Sequence, residues 1–460
     1  MEDRGGHGGK QRSRKPSDLY LASVSGDWRK AMRIQVAAVA LVCFAMPHAT
    51  ARENLKPLLN QVSSAYARLE PQTIRPAEGY LKHDYLIPGG YYKQMWDWDG
   101  FFIGSQLAHQ SREKAKYLEG WVLDFASVEA ALNRDGWVPG VIMADQLPVA
   151  KPNPVLGMFM VKPFLAQGAV IASERLGDYT WVAPVWEELR RVQAYREKTQ
   201  YDPKWGLFFW ESAMQSGEDN NVALTNDPKD RNAILAVDLC AFQLREYEAM
   251  ARLAQQLGHA DEAAEYGQKA SSLREAMLRH LWFAKDAMFF NVRRDTGGPV
   301  RRISGSNFIP LMDDGLLTEA QARAMIRRYL WNADYMLAPC GIRSLSKQDP
   351  SYNNVSMITP YSNWQGPVWI NTNYLYFLAL RRYGFNDAAE KLAGILGRMV
   401  LADIQKWGSM HECYDAETGE GLAPTPEQAK EHKFPGFVGW NLLVQDMLQC
   451  EVNGDCLTLQ

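Results

Sequence analysis

Residues 88–104 read PGGYYKQMWDWDGFFIG, and the rest of the chain is organised around this stretch. Tyr91, Tyr92, Trp96, Trp98, Phe101 and Phe102 crowd around the carboxylates of Asp97 and Asp99 behind a Gly89-Gly90 turn. A pyranose has apolar C–H faces that flat rings cover, and a rim of hydroxyls that ionised carboxylates accept from more strongly than neutral acceptors do. The stretch therefore reads as a sugar pocket, or else as an aromatic core strip with Asp capping a helix start.

Composition narrows the classes. Of 460 residues, 47% are hydrophobic and 22% charged, ordinary values for a globular enzyme with a sizeable core. The unusual feature is 15 Trp beside 20 Tyr and 17 Phe, many of them next to Asp, Glu, Asn or Gln instead of inside aliphatic runs. From Arg52 onward the chain holds 42 basic and 49 acidic residues, a balance of −7. With no basic stripe and no phosphate-cradling Gly-Lys-Ser loop, nucleic acid and nucleotides are set aside as partners.

Residues 1–31 are rich in Gly, Arg and Ser, and Met32-Arg33 then opens an apolar run from Val36 to Met46 that ends in Ala49-Thr50-Ala51. This predicts an N-terminal extension and a secretory signal peptide over 1–51, with the start at Met32 and cleavage after Ala51. An uncleaved anchor is the rival, although the run is short for a bilayer. Export would leave a mature chain from Arg52, periplasmic or secreted, with no membrane contact after cleavage. Cys450 and Cys456 flank an Asn453-Gly454-Asp455 turn that would let them pair in an oxidising compartment. Neither a C-x-x-C pair nor a His-rich helix suggests a metal.

Downstream the apolar spacing predicts helices over Glu53–Leu69, Asp99–His109, Arg112–Leu132, Met158–Leu176, Trp181–Lys198, Asn232–Gln256, Ala260–Leu281, Thr318–Leu330, Gly366–Tyr383, Asn386–Lys406 and Gly436–Cys450. A twelfth is expected near Pro424–His432 or before Asp313. Asn386 and Thr318 read as N-caps, Gly258 and Gly384 as stops. Between helices run long aromatic loops, 135–155, 201–231, 338–365 and 407–435, where function is expected. Short turns on one side and long loops on the other fit an all-α, (α/α)6 toroid as a single domain over 52–460. An α-solenoid is the alternative, but no fixed-period repeat is present.

Two of those loops carry acids. Residues 207–224 read LFFWESAMQSGEDNNVAL, and 410–421 read MHECYDAETGEG. Glycoside hydrolysis needs one protonated carboxyl to release the aglycone and one ionised carboxyl facing it. The residues alone do not choose between Glu218 and Asp219, or among Glu412, Glu417 and Glu420.

The sequence resembles the inverting α-glycosidases of glycoside hydrolase family 63 and their trehalase relatives, over nearly all of 52–460. PGGYYKQMWDWDGFF is similar to the family's W-D segment and to a trehalase PGG signature. SGEDNN is similar to its general-acid segment, and VDLCAFQLREYEAMARLAQQLG to the helix that follows. GIRSLSKQDPSYNN, NWQGPVWINTNYLYFLAL, HECYDAETGEG and GFVGWNLLVQDML complete the order.

The resemblance implies Asp219 as general acid and Glu412 as general base, with Trp98 and Asp99 holding the sugar. It implies Lys162, Gln167, Trp364, Gln365, Trp369, Asn371 and Trp440 as lining residues, and no cofactor or metal. The chain departs from the pattern at Glu218, usually apolar, at Asn221, usually Ser, and at Arg343, where Pro is common. Glu218 is expected to raise the Asp219 pKa if the two share a pocket, and Arg343 is a candidate anchor for an anionic aglycone. His411 and Cys413 read as packing beside Glu412.

The implied activity is exo-acting, inverting release of an α-linked glucose or mannose from a small carbohydrate, as in the compact bacterial glucosylglycerate and mannosylglycerate hydrolases. Trehalose is the alternative substrate, and a non-catalytic sugar-binding protein the alternative class. Toroidal epimerases rest on paired histidines, and of six His beyond the leader only His411 lies in an acidic loop.

Overall fold

Among the described residues the alternation of half-apolar helices with aromatic loops resolves into eleven α-helices longer than one turn, joined in their ring by a 3-10 segment. The structure, a computed structural model, describes residues 51–153, 158–357, 362–424, 434–457 and 459. The helices are α1 (Ala51–Leu69), α2 (Asp97–Gln110), α3 (Ala115–Ala131), α4 (Leu165–Leu176), α5 (Trp186–Gln200), α6 (Val237–Leu257) and α7 (Ala260–His280). They continue as α8 (Glu319–Met325, extended by a π turn, Ile326–Leu330), α9 (Ile370–Arg382), α10 (Asn386–Trp407) and α11 (Leu443–Asn453). The 3-10 segment Gly305–Met312 stands in sequence between α7 and α8.

Every second element belongs to an inner ring. α2 packs on α4, α4 on α6, α6 on the 3-10 segment, that segment on α9, α9 on α11, and α11 returns to α2. α1, α3, α5, α7, α8 and α10 are their outer partners, which makes an (α/α)6 toroid. Each inner element is preceded by a long loop, and each but α11 is followed by a shorter link to its outer partner, such as Gly258-His259 between α6 and α7. The amino ends of the inner helices therefore gather at one mouth, where the long loops meet. Among the described residues the strands are ladders of two or three residues that staple these loops, such as Met95–Trp96 on Val141–Ile142.

Local chemistry explains the packing. α2 is buried along almost its whole length, from Asp97 to His109, because it faces both the ring and α3. A Cβ on Gly100 would lie 2.2 Å from the indole nitrogen of Trp121 on α3, so the helices approach more closely there than any side chain permits. α6 ends on Gly258 in the left-handed region at φ 82°, a conformation glycine adopts without Cβ strain.

Several expected boundaries shift. The helix expected over Met158–Leu176 starts only at Leu165. Before it the chain is extended, Val161 N–H donating to Val138 O at 2.8 Å and Lys162 N–H to Asp97 Oδ2 at 2.7 Å. The helix expected from Asn232 starts at Val237, because Ile234–Leu235 pair with Val292–Arg293. That expected from Gly366 starts at Ile370, with Val368 bridged to Tyr414. That expected from Gly436 is a 3-10 turn, Gly439–Leu442, leading into α11. Thr318 caps α8 in a box with Gln321. Asn386 is instead the first residue of α10, whose N-cap, Phe385, accepts no side-chain bond.

The twelfth element lies before Asp313. The Pro424–His432 alternative lies, beyond Pro424, outside the described residues, as do residues 1–50 of the leader predicted over 1–51. Cys450 and Cys456 form a disulfide across a sequence separation of 6. No described helix is long and apolar enough to cross a membrane.

Candidate active site

The first turn of α2 anchors the site. Asp97 Oδ1 accepts the Trp98 N–H at 2.6 Å and the Lys162 ammonium at 3.3 Å, while Oδ2 takes the Lys162 N–H. This carboxylate thus binds the helix start to the extended segment preceding α4, and it fixes Lys162 with the ammonium 5.5 Å from the Trp98 ring centre. The side-chain carboxyl of Asp99, one residue past Trp98, hydrogen-bonds to no other described residue. Burial, then the charge of Asp97, push its carboxyl up to about 7, with Lys162 pulling the other way.

Four indoles build the wall. Trp98 stacks on Trp364 at 5.8 Å and 13°, Trp364 on Trp369 at 3.9 Å and 7°, and Trp440 closes the group at 5.9 Å from Trp369. The stack is fixed by polar bonds. Trp364 donates Nε1–H to Ser362 Oγ at 2.9 Å and its backbone N–H to Asn220 Oδ1 at 2.6 Å, and Trp369 Nε1 reaches Asn363 O at 2.9 Å.

Asp219 enters from the loop before α6, two residues after Gly217, whose left-handed backbone at φ 87° lies flat against the Trp98 ring. Its Oδ2 accepts Ser362 Oγ–H at 2.8 Å and Ser362 N–H at 3.1 Å. Burial raises the Asp219 pKa, while the two Ser362 donors and then Lys162 hold it back. Glu412 enters from the loop before α11 on a short ladder, with its N–H on Ala423 O at 2.5 Å. Tyr92 donates its phenol to both Glu412 oxygens, at 3.2 and 3.1 Å. Burial and then the charge of Asp99 push Glu412 well up, Tyr92 opposes this, and Asp219 adds a further upward push.

These groups line one cavity of about 250 Å³, with Trp96, Phe159 and Met160 completing the walls. Of the residues nominated from sequence, Asp219, Glu412, Trp98, Asp99, Lys162, Trp364, Trp369 and Trp440 all face it. Three do not. Gln167 is buried between inner helices, with Nε2 on the carbonyls of Pro163 and Phe242. Asn371 is buried in the first turn of α9, where Oδ1 accepts the Thr372 N–H. Gln365 sits one layer back, with Nε2 on Asn220 O.

Position separates the five candidate acids: of these, Asp219 and Glu412 line the cavity. Glu218 points away from the cavity to Asn221 and is raised by burial and Asp238, so it is not what raises Asp219. Glu417 pairs with Arg343, and Glu420 is exposed. The same pair corrects the reading of Arg343 as an anion anchor: its guanidinium is spent on Glu417, on Tyr352 Oη at 3.1 Å and on the Leu337 carbonyl. Tyr92 and Ser362, the direct partners of the two acids, were not nominated. Tyr92 had a signal in the PGGYY stretch, whereas Ser362 had none.

Two buried, upshifted carboxyls held by separate loops in an indole-walled cavity suit proton donation and acceptance on a sugar. Among the described residues no cluster of three or more His, Cys, Asp or Glu could hold a metal ion.

The chain shares this architecture with solved structures. The mannosylglycerate hydrolase of glycoside hydrolase family 63 from Thermus thermophilus, in complex with Tris and D-glycerate, superposes with a TM-score of 0.62. It is 19% identical, and the match covers 85% of this chain and 99% of that one. Neutral trehalase from Saccharomyces cerevisiae superposes at 0.58 with 16% identity, over 80% of this chain and 74% of that one.

By sequence, the chain is 25% identical to a mannosylglycerate hydrolase of Rubrobacter radiotolerans over 172 residues, 37% of this chain and 36% of the relative. It is 30% identical to a mannosylglycerate hydrolase of Thermus thermophilus over 152 residues, 32% of each. A probable mannosyl-oligosaccharide glucosidase of Schizosaccharomyces pombe is 26% identical over 239 residues, 47% of this chain and 26% of the relative. The chain thus spans only about a quarter to a third of the length of these relatives. The family described as the mannosylglycerate hydrolase MGH1-like glycoside hydrolase domain matches residues 91–433, from the aromatic rim of the cavity past Glu412. With three quarters of its length matched, the chain belongs to this family of glycoside hydrolases.

Proposed function

We propose that the protein is an exo-acting α-glycosidase that releases an α-linked mannose or glucose from a small glycoside with inversion. The observation that carries this is the convergence of Asp219 and Glu412 on one indole-walled cavity of about 250 Å³. That volume is just under the lower end of the usual range for ligand pockets, roughly 300 Å³, and suits a single sugar ring at the chain end.

The sugar face lies on the Trp98 wall, and Asp99 accepts its hydroxyls. Asp219, protonated, gives its proton to the glycosidic oxygen as the C–O bond breaks. Glu412, ionised, takes a proton from the water that attacks the anomeric carbon from the other face, so the freed sugar carries the opposite configuration. Tyr92, on both Glu412 oxygens, orients that carboxylate and favours its charged form.

The test is proton NMR of the chain from Arg52 with α-mannosylglycerate, α-glucosylglycerate and trehalose. Early β-anomer signal, abolished in Asp219→Asn and Glu412→Gln, is expected. An α-anomer as first product rejects inversion, and sugar binding without turnover of any substrate favours a binding protein. Trehalose belongs in the panel because a trehalase shares the fold.

The working location is outside the cytoplasm, supported by the leader pattern of 32–51 and by the Cys450–Cys456 disulfide, a bond that oxidising compartments preserve. Finding the N-terminus of the expressed protein at Arg52 in a periplasmic or culture fraction tests it. An intact leader in the cytosol would reject it.

A further inference from the structure

Glu412 lies between two residues that are both tied to a carboxylate on an outer helix. Asp403, in the last two turns of α10, is 7% exposed and lines no part of the sugar cavity. On one flank of Glu412 it accepts the backbone N–H of His411 at 2.8 Å and the His411 ring at Nδ1, at 2.9 Å. On the other flank it accepts the Tyr414 hydroxyl at 3.0 Å. Three donors on one carboxylate thus span the residue that faces the sugar.

The surroundings leave the His411 ring one seat. Phe434 stacks on it at 4.4 Å, and Trp407 meets it edge-on at 5.8 Å. On another side is Gly421, where a Cβ would lie 2.1 Å from Nδ1. Asn441, from the turn that also carries Trp440, donates to the His411 carbonyl at 2.7 Å. The Tyr414 backbone exchanges both its hydrogen bonds with Val368, next to Trp369 of the indole wall. Asp403 is therefore the point at which the loop before α11 is pinned to the outer ring, in register with the wall.

We infer that Asp403, acting through His411 and Tyr414, is a positioning residue for Glu412. The inference rests on the proposed role of Glu412 as base. A hydrogen-bonding carboxylate buried with three donors holds them at fixed geometry, and a displacement of about 1 Å in a catalytic group costs on the order of 100-fold in rate. Binding of the sugar, which depends on the indole wall and Asp99, has no such dependence on Asp403.

The test compares Asp403→Asn, His411→Leu and His411→Asn with wild type and Glu412→Gln. Turnover is measured on α-mannosylglycerate, α-glucosylglycerate and trehalose, and binding by tryptophan fluorescence with mannose and glucose. Asp403→Asn is expected to lower kcat by ~10- to 100-fold while KM and monosaccharide affinity stay within about threefold. His411→Asn, whose amide N–H takes the place of Nδ1–H, is expected to retain most of kcat, and His411→Leu to lose it. This pair carries the test if Asp403→Asn does not fold.

Equal activity of the two His411 variants overturns the inference, as does an unchanged kcat in Asp403→Asn beside an inactive Glu412→Gln. In both cases the base assignment stands. Turnover retained in Glu412→Gln removes the base assignment and the inference with it.

Discussion

Ser362→Ala is expected to widen the pH range of turnover at its alkaline end. In the structure the Ser362 hydroxyl donates to Asp219 Oδ2 at 2.8 Å, and the backbone N–H of the same residue donates at 3.1 Å. Both bonds favour the ionised acid and restrain a pKa that burial drives up. In the proposed role of proton donor Asp219 would work only while protonated, so activity should fall as pH rises through its pKa. Removing the hydroxyl removes one donor to the charged form, the pKa rises, and the alkaline limb moves to higher pH.

A hydrogen bond to a charged group is worth about 1.5–3 kcal/mol, and about 1.36 kcal/mol is one pKa unit. With the backbone donor left in place, the expected shift is ~1 unit. The assay is kcat against pH for both proteins on whichever panel glycoside is hydrolysed. The limb set by Glu412, the proposed base, which has no bond to Ser362, is expected to stay. An alkaline limb that stays, or moves down, refutes the assignment of Asp219 as the acid restrained by Ser362. The variant also leaves the Trp364 Nε1–H without its acceptor, a stability cost of about 1–3 kcal/mol that thermal unfolding reads separately.

Three further outcomes follow from the geometry. Gly217→Ala forces an alanine to φ 87° and places its Cβ 2.4 Å from Trp98 Cε3, so a fall of ~10- to 100-fold in kcat/KM is expected from the displaced ring; wild-type kinetics would show that the Trp98 position is immaterial. His109 bridges Asp446 at 3.2 Å and Asp455 at 3.1 Å, and although burial disfavours its charge, the two carboxylates win and raise its pKa. That stability is complete below the unfolded value of about 6.5 and lost as pH rises through the higher folded pKa, so denaturation midpoints measured across this interval should fall in wild type and flatten in His109→Gln. Cys456→Ser removes a cross-link across a separation of 6 and is expected to lower stability by about 2 kcal/mol in denaturant titration, while dithiothreitol added to that variant should change nothing further.

The toroid was legible because its signals are local. Apolar spacing marked the helices, Gly258 and Thr318 marked ends, and loop length separated the two faces. The boundaries that moved were those where distant partners compete with helical periodicity. Lys162 is spaced as part of α4, but its N–H is taken by Asp97, 65 residues earlier. In the 3-10 segment Pro310 removes a donor that an α-helix would need.

The site was read from residue types that suit a sugar. Those types do not distinguish a polar side chain facing a cavity from one satisfied between helices. Gln167, bonded to carbonyls of the helix frame, belongs to the second kind, and Asn371 is buried in that frame with Oδ1 on the Thr372 N–H; neither placement leaves a mark in the sequence. Arg343 appeared unpaired because Glu417 is 74 positions away. Conversely, the partner of Asp219 is a serine, too common a residue to attract notice until Oδ2 is seen to accept from it.

The closure of the inner ring bears on how the molecule comes into being. α11 touches α2, and Trp440 meets Trp98 at 6.3 Å, although the two tryptophans stand 342 positions apart in the chain. Such a contact forms late, because the loop that must close is nearly the whole domain. The inner–outer pairs α2–α3 and α6–α7 can form as local hairpins while the chain is still being made. The sugar wall cannot, since its last indole arrives with the final turn before α11. A growing chain thus has most of its helices but no closed cavity, and a fragment ending before residue 439 would be a helical arc without the wall that Trp440 completes.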